Sequence, residues 1–201
     1  MCGICGYIGY KRNYTKSGRD ERALGKRMAD TLFSRGPDDG GVWIGEHAVL
    51  AHRRLAVIDP ERGKQPMQRV SEGYDFTIAY NGELYNTAEL RAELEKRGYE
   101  FTTASDTEVL LYAYIHYGAD CAKKLNGIFA FAVYDSMRQR VFLCRDRFGV
   151  KPLFYYHYSQ GLLFASEVQT LLKNPIVKPV VSEEGLSELF LIGPEIGRAH
   201  V

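Results

Sequence analysis

The sequence predicts an α+β fold, with antiparallel sheets and helices packed on their outer faces, and three observations point there. Strand-like runs come in bursts with helical stretches grouped between them, which argues against a doubly wound parallel sheet. Two pairs of β-rich runs are separated by short polar turns and read as hairpins. The chain has 201 residues, 45% hydrophobic and 25% charged. That suits one domain, or one domain plus the beginning of another, with a core that needs no staples.

Taken in order, CGICGYIG (2–9) alternates small and larger apolar residues, as a buried strand with close backbone approach at its glycines does. Leu24, Met28 and Leu32 recur every four residues and predict a helix from Arg19 to Phe33. SRGPDDGG (34–41) is a loop. Short strands fit VWIG (42–45), AVLAH (48–52) and LAVID (55–59), the last ended by Pro60. DFTIAYNGELYN (75–86) reads as a strand running into a turn built on Asn81 and Gly82. Thr87 can cap a helix reaching about Arg97, with Leu90 and Leu94 on one face. Asp106 stands ahead of EVLLYAYIHYG, which Gly118 can terminate. IFAFAVYD (128–135) and RVFLCRD (140–146) flank the turn SMRQ as one hairpin. LFYYHY (153–158) and GLLFAS (161–166) form another, and Glu167 to Leu172 starts a further helix.

Charge narrows the function classes. Lys plus Arg (26) nearly cancels Asp plus Glu (25), for a net charge of +1. The basic residues fall in short pairs such as Arg53–Arg54 and Lys123–Lys124, so nothing predicts a nucleic-acid or acidic-membrane partner. The N-terminus has no basic or long apolar region of a signal peptide. The longest near-apolar run, Ile128 to Tyr134, is too short to cross a bilayer. Cys2, Cys5, Cys121 and Cys144 are expected to be free thiols in a cytoplasmic protein.

Cys2 carries the most chemical information. Removal of Met1, which a small second residue permits, leaves Cys at the N-terminus. A terminal Cys couples a soft nucleophile to its own α-amine, whose pKa of about 7.7–8.0 suits proton shuttling. Cys2 and Cys5 also make a CxxC, which admits a redox or metal reading. Against that, the motif opens no helix, and no second Cys/His pair stands at metal-binding spacing, so no metal is expected. His47 and His52 are isolated and read as packed or solvated, and Cys5 as a small core residue. Asn81-Gly82 forms a hairpin turn in many strands, yet an Asn amide beside a Gly N–H also supplies two donors for an oxyanion. Arg54 is a surface Arg starting a strand or a bidentate clamp for a carboxylate. Asp106 is a helix N-cap or a partner for an ammonium group.

The segments MCGICG, RGPDDGG, AHRRLAVID, YNGELYN, SDTE, GIFAFAVYD, RDRFGVKPLFY and FASEVQTLL, in this order, closely resemble the N-terminal glutaminase domain of asparagine synthetases. That domain is a class II glutamine amidotransferase of the N-terminal-nucleophile hydrolase type. The resemblance implies a four-layer sandwich, two stacked antiparallel sheets flanked by helices. It implies that Cys2 is the nucleophile and that the Asn81 side chain and Gly82 backbone form the oxyanion hole. Arg54 would bind the α-carboxylate of glutamine, Glu83 and Asp106 its α-ammonium, and backbone at Val57 and Ile58 would complete the pocket. The family continues into a C-terminal synthetase domain with an SGGxDS-type loop, which this sequence lacks. ATP and magnesium are therefore expected only in that absent domain, the implied partner, and no cofactor in this chain. The full-length protein is compatible with a homodimer. Residues 2–195 are expected to form the glutaminase domain without its last strands, and Ile196 to Val201 to be a non-native, adapter-encoded tail.

Overall fold

The computed structural model describes residues 1–180 and 183–192. The expected domain end and tail beyond residue 192 lie outside the described residues. In chain order the elements are β1 (Gly3–Gly9), α1 (Glu21–Asp30), β2 (Asp39–Ile44), β3 (Ala48–Arg54), β4 (Met67–Ser71) and β5 (Tyr74–Leu84). Then follow α2 (Thr87–Glu95), α3 (Asp106–Tyr117), β6 (Gly127–Asp135), β7 (Arg140–Arg145), β8 (Phe154–Tyr158), β9 (Gly161–Ala165), α4 (Val168–Leu171) and α5 (Glu183–Ile192). Short 3-10 turns lie at Tyr14–Lys16 and Gly118–Lys123.

The strands build two antiparallel sheets, in the orders β2-β3-β1-β9-β8 and β4-β5-β6-β7. Period-two alternation decides what each face buries. Ile4, Ala48, Leu50, Ala79, Ala130, Ala132, Tyr134 and Phe164 form the layer between the sheets. Its alanines let the sheets approach closely. On the other face of the first sheet, Cys5, Tyr7, Val49, Ala51 and Leu163 pack on Leu24, Met28 and Leu32 from the α1 segment. On the outer face of the second, Ile78, Tyr80, Phe129, Phe131 and Val133 meet Leu90 and Leu94 of α2 and Val109, Leu110 and Leu111 of α3. Helix, sheet, sheet and helix stack as four layers, and both predicted hairpins form as β6-β7 and β8-β9.

Four local expectations are corrected. LAVID is no strand: the chain leaves the sheet after Arg54, where the β2 pairing ends at Asp39, and Leu55, Val57 and Ile58 are exposed. Asn81-Gly82 is no turn, because β5 runs on to Leu84 with Asn81 opposite Ala130 and Gly82 opposite Phe129. Gly82 serves close approach instead, since a Cβ there would run into the Ile128 carbonyl and sit 2.8 Å from Phe129 Cα. Thr87 is the first residue of α2 rather than its cap, and its hydroxyl donates to the Leu84 carbonyl at 2.7 Å. Ser105, not Asp106, caps α3, accepting from the Thr107 N–H at 3.1 Å. That leaves the Asp106 carboxylate available for other partners. Gly118 ends α3 as predicted, at φ 59°. Strand β4 and helix α5 have no counterpart in the sequence reading.

Candidate active site

The ends of β1 and β5, the loop after β3 and the start of α3 enclose a cleft of about 220 Å³. Cys2, Arg54, Val57, Ile58, Asn81, Gly82, Glu83 and Asp106 all line it. Cys2 precedes β1 in phase with Ile4, so its side chain lies at the end of the layer between the sheets. Its thiol is 3.7 Å from the Leu55 carbonyl, which it faces as a donor. Burial raises the thiol pKa above its ordinary value. The N-terminal ammonium and the Arg54 guanidinium oppose that rise, and Asp106 adds to it.

Asn81 sits on β5 in phase with Ala79 and therefore also faces the layer between the sheets. It is 1% exposed, and its Nδ2 has no hydrogen-bond partner. A buried amide donor left unpaired costs about 1–3 kcal/mol, so such a group calls for a reason. Backbone groups on one strand alternate between its two edges. Tyr80 N–H and Leu84 N–H both point away from β6, to the Gln65 side chain at 2.7 Å and the Asp106 carboxylate at 3.4 Å. The Gly82 N–H between them faces the same open edge, which borders the cleft.

Arg54, the last residue of β3, is 5% exposed. Its Nη1 donates to the Pro60 carbonyl at 2.7 Å, and its Nη2 to the carbonyls of Ile58 and Asp59 at 2.9 and 2.8 Å. The guanidinium therefore folds the 55–63 loop around itself, placing Val57 and Ile58 at the rim. Two N–H groups of the five remain for a ligand. The carboxylate of Asp59 then ties this loop to the segment before α3, accepting from Ala104 N–H at 2.8 Å and from Arg62 N–H at 3.1 Å.

Asp106 is held from the helix side. Tyr80, whose side chain packs toward α3, donates its hydroxyl to Asp106 Oδ2 at 2.9 Å. Burial raises the Asp106 pKa, and the Tyr80 and Leu84 donors partly offset it. Two residues on, buried Glu108 pins residues 102 and 103. It takes both their N–H groups, both their hydroxyls and the Arg69 guanidinium, and these donors outweigh its burial and depress its carboxyl to about 2. The segment that presents Asp106 is thus fixed on both sides. Glu83 stands exposed at the rim.

Residues 1–199 match the family described as the glutamine amidotransferase domain. The chain belongs to that family. It is the N-terminal glutaminase part of its relatives and spans about a third of their length. It is 50% identical over 194 residues to asparagine synthetase [glutamine-hydrolyzing] 3 of Bacillus subtilis, covering 96% of this chain and 31% of that one. Against asparagine synthetase B [glutamine-hydrolyzing] of Escherichia coli it is 36% identical over 173 residues, covering 86% and 30%. Among solved structures it is similar to the glutamine phosphoribosylpyrophosphate amidotransferase of B. subtilis, with a TM-score of 0.68 at 20% identity, covering 85% of this chain and 43% of that one. The latter likeness concerns the fold, two antiparallel sheets with outer helices.

In this glutamine amidotransferase domain, residues without a role in the sequence analysis also line the cleft or contact its lining. Arg35, in the RGPDDGG loop, donates from Nε to the Cys2 carbonyl at 3.1 Å and pairs with Glu167 at 3.3 Å. Lys151, in RDRFGVKPL, is 8% exposed and sends its ammonium to the Met1 sulfur at 3.2 Å. Asp146 shapes that loop by accepting from the N–H groups of Phe148, Val150 and Lys151 at 3.1, 2.9 and 2.9 Å. Both motifs were legible as signatures, but a residue's aim depends on loop geometry that no spacing encodes. His52 is fully buried, and that burial lowers its pKa to about 4, so the ring is neutral. Among the described residues no group of three or more His, Cys, Asp or Glu could hold a metal ion, and no helix is long and apolar enough to cross a membrane.

Proposed function

We propose that this domain hydrolyses glutamine to glutamate and ammonia through a thioester on Cys2, after Met1 has been removed. One observation carries the proposal: a buried, unpaired amide donor, Asn81 Nδ2, borders the same cleft as the Cys2 thiol. An acyl-transfer site needs such a donor aimed where an oxyanion develops.

The chemistry follows from the parts. With Met1 gone, the α-amine belongs to Cys2 itself, and it accepts the thiol proton as sulfur attacks the γ-amide carbon. The carbonyl oxygen becomes an oxyanion, met by Asn81 Nδ2–H and Gly82 N–H. The α-ammonium returns the proton to the departing nitrogen, the C–N bond breaks, and ammonia leaves a γ-glutamyl thioester. Water, deprotonated by the same amine, attacks that thioester, releasing glutamate and the thiol. Arg54 and Asp106 read the α-carboxylate and α-ammonium, with Glu83 at the rim. By likeness to the relatives, the ammonia goes to a synthetase domain that uses ATP and magnesium to make asparagine, in the cytoplasm. The test is to purify the Met1-free chain and follow glutamate release from glutamine and from analogues lacking either the α-amine or the α-carboxylate. Glutamine turnover with poor use of both analogues supports the reading, and no glutamate release overturns it.

Arg54→Lys should raise KM despite the conserved charge, because an ammonium reproduces neither the two-pronged contact nor the grip on the carbonyls of residues 58–60. A loss on the order of 1.5–3 kcal/mol in kcat/KM is expected for a charged hydrogen bond. Unchanged steady-state constants would remove Arg54 from the pocket.

Asp106 predicts a pH dependence with a definite sign. Only the carboxylate pairs with an ammonium, so glutamine affinity is retained at neutral pH and lost as pH falls through the raised Asp106 pKa. Measured by calorimetry on Cys2→Ala, the nucleophile plays no part. Tyr80→Phe removes a donor to the ionised form, so its midpoint moves to higher pH. An affinity independent of pH down to about 4, the ordinary carboxylate range, would exclude the Asp106 role.

A further inference from the structure

The strand carrying the two oxyanion donors lacks a neighbour where it needs one. Strand β4 pairs with β5 from Ser71 opposite Tyr74 to Met67 opposite Ile78, and there the ladder stops. Continued by two residues, the same register would set Gln65 opposite Tyr80. In an antiparallel pair the opposing residue would give the Tyr80 N–H an acceptor and the Tyr80 carbonyl a donor. Side chains supply both instead. Gln65 Oε1 accepts from Tyr80 N–H at 2.7 Å, and His52 Nε2 contacts the Tyr80 carbonyl at 3.0 Å.

Each side chain's orientation is fixed by what it meets. A carbonyl only accepts, so His52 carries its proton on Nε2, and its Nδ1 is left buried without a partner. A backbone N–H only donates, so the Gln65 oxygen faces Tyr80, and its Nε2 donates to the Thr107 hydroxyl at 3.1 Å, next to Asp106. His52 is fully buried between the sheets, in phase with Ala48 and Leu50. A neutral polar ring there with one unsatisfied nitrogen is poor core packing, which argues that its hydrogen bond is what the position is for.

We infer that His52 and Gln65 are positioning residues that stand in for a missing strand at Tyr80 and so aim the Asn81 and Gly82 donors, an inference resting on the functional reading above. The Tyr80 carbonyl and the Asn81 nitrogen belong to one planar peptide, so gripping the first fixes the second. The Gly82 N–H leaves the same strand edge two residues on.

The test measures steady-state constants for glutamine in Met1-free His52→Leu, His52→Gln, Gln65→Met and Gln65→Glu, with the affinity of each for an aldehyde analogue of glutamine that forms a tetrahedral adduct on Cys2. His52→Leu and Gln65→Met should lower kcat about 10- to 100-fold, the scale of a small misplacement of catalytic groups, with KM within about twofold. Aldehyde affinity should fall with kcat. His52→Gln keeps a donor and Gln65→Glu keeps the acceptor, so each should recover most of the loss. A purely structural role would lower thermal stability without this split or rescue. Folded His52→Leu and Gln65→Met with parental kcat, or a loss confined to KM, or no rescue by the conservative variants, overturns the inference. If His52→Leu does not fold, the partly exposed Gln65 pair decides it alone. Glutamine turnover by the parent beside unaffected variants would sink only this inference, whereas an inactive parent sinks the functional reading with it.

Discussion

Cys2→Ala, with Met1 removed, is expected to abolish glutamine hydrolysis while leaving the fold and glutamine binding in place. In the proposed mechanism its thiol forms the thioester, and the other cysteines offer no substitute. Cys5 and Cys121 are fully buried, with thiols that burial raises far above the working range, and Cys144 is pushed up to about 11 on β7. Removing a nucleophile outright costs on the order of 10⁴-fold or more in kcat, so the residual rate should match background. The stability cost is small, because the Cys2 side chain is only partly buried and its one polar contact is long, at 3.7 Å from the Leu55 carbonyl. Two measurements check this: glutamate release, expected at background, and calorimetric binding of glutamine, expected near the parent's apparent affinity. Hydrolysis by Cys2→Ala at the parent rate would show that the nucleophile lies elsewhere. Lost binding together with lost activity would instead point to a collapsed pocket.

Period-two and period-four patterns made the layers legible, because burial on one face forces them: Ile4 and Cys5 go to opposite faces, and Leu24, Met28 and Leu32 to one. Both hairpins were legible for the same reason. Misread positions are those where one residue type serves two purposes. Asn-Gly suits a tight turn, but here Asn81 and Gly82 stay in β5 because nine successive pairs with β6 outweigh the turn preference. LAVID has strand composition, yet its apolar residues line a cleft rim, where exposure rather than alternation governs. Strand β4 was illegible because Gln68 and Val70 are exposed and Arg69 turns to Glu108 across the helix layer, so no apolar period survives. Within the candidate site, the residues proposed to meet substrate were named from motifs. Those that hold them, Gln65, Tyr80 and Arg35, act through contacts between segments far apart in sequence, which no local pattern records.

Asn81→Ala is expected to lower kcat about 10²–10³-fold, a barrier increase of about 2.7–4 kcal/mol, while changing KM little. The split follows from where the donor points. The ground-state amide of glutamine carries only a carbonyl dipole, whereas the tetrahedral intermediate carries a full negative charge on that oxygen, so the Asn81 N–H contributes chiefly in the transition state. Stability should move the other way or not at all. Asn81 Nδ2 is buried without a partner in the free domain, so deleting it removes an unsatisfied donor instead of breaking a native hydrogen bond. The truncation leaves a small void at the cleft end of the sheet layer, which limits any gain. Kinetics and thermal unfolding on one preparation therefore give a paired outcome: kcat collapses while the melting temperature holds or rises slightly. A large drop in melting temperature with kcat within twofold of the parent would make Asn81 a packing residue and leave Gly82 as the remaining oxyanion donor. Asn81→Asp separates charge from shape, because a carboxylate of the same size would face the developing oxyanion. Its kcat should fall at least as far as that of the alanine variant, despite the closer fit.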